Sequence, residues 1–73
     1  MAVQVVMNHS GDSRHWYDAN DERSLFEAKE RFRQLSEQGY IAAVRGKQGS
    51  TRLIRSFEPN AEETLFFPRL VGG

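Results

Sequence analysis

Residues 21–38 constrain this chain more than any other stretch. Leu25, Ala28, Phe32 and Leu35 follow one another at spacings of three, four and three. On a helix that spacing places them on one stripe. Glu22, Arg23, Glu27, Lys29, Glu30, Arg31, Arg33 and Glu37 occupy the opposite side. Asn20 or Asp21 is suited to accept from the free N–H groups of the first turn, and Gly39 to end the helix in a left-handed conformation. A helix with one apolar stripe must bury it against another layer. The chain has 73 residues and no cysteine, so no disulfide substitutes for that packing. The remaining segments must therefore supply the other half of one small core.

Those segments read as strands. Ala2 to Met7 alternates Val3, Val5 and Met7 with Gln4 and Val6, giving one strongly apolar face and one mixed face. Asn8 to Ser13 is a cluster of turn-forming residues, and Arg14 to Asp18 returns as the second strand of a hairpin. Trp16, the single tryptophan, is expected to anchor the core from that strand. After the helix, Tyr40 to Arg45 and Thr51 to Phe57 form a second hairpin around Gly46-Lys47-Gln48-Gly49-Ser50. Leu53 and Ile54 are adjacent, which leaves the register of that strand open. Glu58 to Glu63 breaks the pattern, with Pro59 placed to begin one helical turn. Thr64 to Phe67 reads as a fifth strand. Pro68 lacks an N–H, so pairing should weaken there or continue on one side only. So apolar a strand belongs in the middle of a sheet, beside the first. The expected class is α+β, one helix packed on a mixed sheet.

Composition excludes several functions. Ten basic residues balance ten acidic ones, which argues against a general nucleic-acid or membrane-surface binder. No apolar run approaches the length of a membrane span, and no basic, then apolar, leader is recognisable at the start, so a cytoplasmic location is expected. His9, Asp12 and His15 surround the first turn, but their spacing matches no metal-ligand motif. Ser10 and Ser13 near these histidines show no nucleophile turn and no oxyanion hole, so neither an enzyme nor a bound cofactor is expected. Arg45, Lys47, Arg52 and Arg55 make a basic hairpin with no acid between Glu37 and Glu58. Arg52 and Arg55 can serve as a docking face for an acidic partner, or simply as a solvated edge that deters aggregation. Phe26 and Tyr40 lie off the helical stripe and the main core, as contact residues or as secondary core.

The chain finishes Leu65-Phe66-Phe67-Pro68-Arg69-Leu70-Val71-Gly72-Gly73. A core strand thus runs into two residues that have no side chain to bury. With this tail, the order strand, strand, helix, strand, strand, terminal strand resembles the β-grasp fold of the ubiquitin-like modifiers. It is also similar to small bacterial ubiquitin-like proteins of conjugation operons. The resemblance implies a domain over residues 1–70 and a tail over 71–73. It implies conjugation through Gly72 and Gly73, with Gly73 providing the reactive carboxylate, either as encoded or after processing. Arg69, Leu70 and Val71 would contact partner enzymes. Val71 departs from ubiquitin, which has arginine before its glycines, and this points to a dedicated activating enzyme. That enzyme would use ATP and magnesium to form an acyl adenylate and then a cysteine thioester. Conjugating and deconjugating enzymes and a target would complete the partners. Lys29 and Lys47 are the only lysines, which favours single attachment over chains built on the modifier.

Two other readings remain beside this one. The same activated carboxylate can become a thiocarboxylate that donates sulfur in a biosynthetic pathway. Alternatively, the chain is a small adaptor or phage structural subunit in which the two glycines are incidental.

Overall fold

Two hairpins and one terminal strand make a single mixed sheet, with one helix across one of its faces. The computed structural model describes residues 1–69. Its elements are β1 (Ala2–Asn8), β2 (Gly11–Tyr17), α1 (Glu22–Glu37), β3 (Tyr40–Arg45), β4 (Thr51–Ile54) and β5 (Glu63–Pro68). The strands lie in the order β2-β1-β5-β3-β4. β5 is central as expected, parallel to β1 and antiparallel to β3. Pairing with β1 runs through Phe66, whereas pairing with β3 continues to Pro68 opposite Tyr40. The proline therefore ends the ladder on one side only, because its ring nitrogen has no proton to donate. Among the described residues, no helix is long and apolar enough to cross a membrane.

The helix begins at the expected cap. Asp21 takes an extended conformation, and its carboxylate accepts from the Ser24 N–H at 3.2 Å. Gly39 closes the other end with φ +94°, a conformation a side chain would strain. Ala28 and Phe32 are buried, while Leu25 and Leu35, toward the two ends of the stripe, are half-buried. Phe32 meets Phe66 of β5 edge-on at 5.6 Å, and this contact forms the centre of the core with Val6, Ala42, Val44 and Ile54.

The helix lies on the mixed face of β1, not on its strongly apolar one. Ala2, Gln4 and Val6 point toward α1, whereas Val3, Val5 and Met7 form a separate cluster with Leu65 on the far face. Gln4 is fully buried and bridges the layers. Its Nε2 donates to the Ala28 carbonyl at 2.9 Å, and its Oε1 accepts from Arg31 Nη1 at 2.9 Å. Both ends of the amide are satisfied, so its burial carries no unpaired polar group. On the same face, the Thr64 hydroxyl is buried with no partner among the described residues.

Three expectations are corrected. Trp16 does not anchor the core: it is 61% exposed, opposite Val3 on the far face. Tyr17, opposite Ala2, takes the inward position because alternate residues of a strand face opposite ways. β4 ends at Ile54 instead of reaching Phe57, and Phe57 leaves the sheet to pack between Tyr17 and Phe32 at ring separations of 6.0 and 5.9 Å. Pro59 begins no helical turn. A reverse turn closes there, with Ala61 N–H donating to the Glu58 carbonyl at 3.2 Å. Of the two aromatic residues off the stripe, Phe26 is 62% exposed and Tyr40 packs against the core.

Candidate functional site

The site is the rim of the sheet where β5 ends. Strand pairing holds β5 as far as Pro68, and the next residue, Arg69, is exposed. Two hollows meet here. One, of about 290 Å³, lies between the β1–β2 turn and the end of α1, lined by Asn8, His9, Gln38, Gly39, Tyr40, Pro68 and Arg69. The other, of about 330 Å³, is lined by Ser36, Tyr40, Ile41, Ala42, Leu53, Ile54, Arg55 and Arg69. Tyr40 and Arg69 belong to both. They can occupy this position because Tyr40 begins β3 directly after the Gly39 turn and pairs with Pro68.

The sequence-derived residues divide here. Arg55 and Arg69 line the same hollow, although 14 positions separate them in the chain. Arg52 is not with them. It faces the helix side of β4, opposite Val44, and reaches Glu58 through two bonds of 2.9 and 2.8 Å. That forked pairing holds the Glu58 carboxyl below its ordinary pKa and raises that of the Arg52 guanidinium. The basic hairpin is neutralised further by Glu63, which lies 3.9 Å from Arg45. Its two acids come from just beyond the acid-free window of the sequence. Leu70, Val71, Gly72 and Gly73 lie outside the described residues.

Sequence reasoning missed Leu53. It is 67% exposed and lines the hollow with Arg55 and Arg69, so an apolar side chain stands beside two cations. The signal was the Leu53-Ile54 pair, because on a strand one of two neighbours must point away from the core.

The first turn brings no ligand set together. Asp12 stands opposite Met7 on the far face, and His15 stands opposite Gln4 on the helix face. Among the described residues, no three His, Cys, Asp or Glu side chains converge. Burial, and then the nearby Arg31 charge, lower the His15 pKa. No family model matches the chain, and neither curated proteins nor solved structures contain a match to it.

Proposed function

We propose that the chain is a ubiquitin-like modifier with a β-grasp fold, activated at the Gly73 carboxylate and conjugated to targets in the cytoplasm. The placement of β5 carries this reading. The strand that leads toward Gly72 and Gly73 lies in the centre of the sheet, and it ends at a rim where Arg69, Arg55 and Leu53 are exposed together. A rigid root beside an apolar, basic surface suits presentation of a narrow tail to an enzyme channel. Binding to the domain would orient the tail, while the two glycines would pass where a side chain would clash.

The chemistry asks little of the chain itself. A carboxylate oxygen attacks the α-phosphorus of ATP and pyrophosphate leaves. A cysteine thiolate of the activating enzyme then attacks the acyl carbon and AMP leaves. The chain provides the carboxylate and the recognition surface, and the enzyme provides charge stabilisation.

The test is pyrophosphate exchange into ATP, catalysed by the cognate activating enzyme. Deleting Gly72 and Gly73 should abolish exchange and leave the unfolding midpoint unchanged. Arg69→Glu with Arg55→Glu should raise the KM for the modifier with a smaller effect on kcat. Full exchange by the deletion variant would end the reading. Mass spectrometry of native material that found a terminal oxygen replaced by sulfur would replace conjugation with sulfur transfer.

A further inference from the structure

Helix α1 and the segment after β4 enclose a groove of about 410 Å³, within the usual range of roughly 300–1,000 Å³ for ligand sites. Phe32 and Phe57 form its floor, their ring centroids 5.9 Å apart. Both rings are held from behind, Phe32 by Phe66 and Phe57 by Tyr17. The floor therefore exists before any ligand arrives, which keeps the ordering cost of binding low.

The walls carry the charge. On the helix, Arg33 donates to Glu30 at 3.0 Å and to Glu37 at 2.9 Å, so the two rim carboxylates share one cation. Lys29 on the helix wall and Arg55 on the facing wall make no ion pair among the described residues. An apolar floor thus lies between two cations outside those ion pairs, and the charged side chains that line the groove sum to a net positive charge. Its complement is a large apolar side chain flanked by carboxylates. An anionic lipid surface would satisfy the cations but would not enter the recess.

We infer that this groove docks a segment of a partner protein. The segment seats one leucine- or phenylalanine-sized side chain over Phe32 and Phe57 and sets acidic residues against Lys29 and Arg55. Neither Pro68 nor Arg69 lines the groove; Ser36 and Arg55 border both it and the rim hollow, whereas Lys29, Phe32 and Phe57 line the groove and not that hollow.

The probe is a synthetic peptide with a central Leu-Phe pair and three glutamates on each side, titrated into the full ¹⁵N-labelled chain. Saturable shifts should centre on Phe32, Ser36, Ser56 and Phe57 and weaken as salt rises. Lys29→Glu, which changes this groove and not the rim at Arg69, should weaken binding roughly threefold. Lys29→Glu with Arg55→Glu should weaken it by roughly tenfold. Both variants replace exposed side chains, so the fold should persist. A peptide with lysine flanks, or with alanines in place of Leu-Phe, should not bind. No saturable shift at millimolar peptide overturns the proposal, as does equal binding by the lysine-flanked peptide. Shifts at these residues that depend on protein concentration without peptide would assign the groove to a second copy of the chain, and would also overturn it.

Discussion

The two faces of the sheet bury their residues by different means. On the helix face, Phe66 is completely buried beneath α1 and touches Phe32. One residue earlier on the same strand, Leu65 points the opposite way and is still only 8% exposed, with no helix above it among the described residues. Val3 and Val5 are equally well covered there, and Met7 packs beside them. The difference shows that low exposure has two origins. One is a packed second layer. The other is a central place in a five-stranded sheet, where neighbouring side chains screen one another. The first fixes a geometry; the second removes water without specifying a partner shape.

Neighbouring substitutions on β5 can break this comparison most sharply. Phe66→Ala opens a cavity that the helix cannot easily close and should cost about 3–5 kcal/mol. Leu65→Ala should fall near the low end of its class, about 2–3 kcal/mol, because the far face can relax toward solvent. Equal losses in urea titrations, at unchanged m-values, would show that the two faces are packed alike. A smaller effect comes from Thr64, whose buried hydroxyl lacks a partner among the described residues. Thr64→Val should stabilise the domain by about 1 kcal/mol, since it removes a desolvated polar atom at nearly constant volume. A loss of stability instead would reveal a hydrogen bond to that hydroxyl. The smallest effect belongs to the margins of the far face. Trp16→Gln and Leu53→Gln should each change stability by less than about 0.5 kcal/mol, as read from thermal midpoints.

What the amino-acid sequence made legible follows the same division. The helix was readable because its stripe repeats over about three turns and its caps lie at both ends. The central place of β5 followed from Leu65-Phe66-Phe67, too apolar a run for an edge. Face assignment was less accessible. Val3, Val5 and Met7 marked an apolar face, but in a strand buried on both sides that pattern does not say which face the helix takes. Trp16 was misassigned because bulk is a weaker signal than parity: its neighbour Tyr17 shares the face of Ala2. At the candidate site, Arg55 and Arg69 were identified separately, and their shared hollow depends on where β4 stops. Arg52 was grouped with Arg55 because both lie in one basic run. Only the register of β4 turns Arg52 toward Glu58.

The parallel pairing of β1 with β5 has a mechanical consequence. Val3 lies beside Glu63 and Val6 beside Phe66, so the two strands run the same way. Traction between Ala2 and Pro68 would pull their opposite ends and load the shared hydrogen bonds together, in shear. Moving one attachment from Ala2 to Asn8 would pull matching ends and open the same bonds one after another. The domain should therefore resist the first pull at markedly higher force than the second, with an unchanged fold. Any machine that unfolds this chain by its two ends must work against the stronger direction.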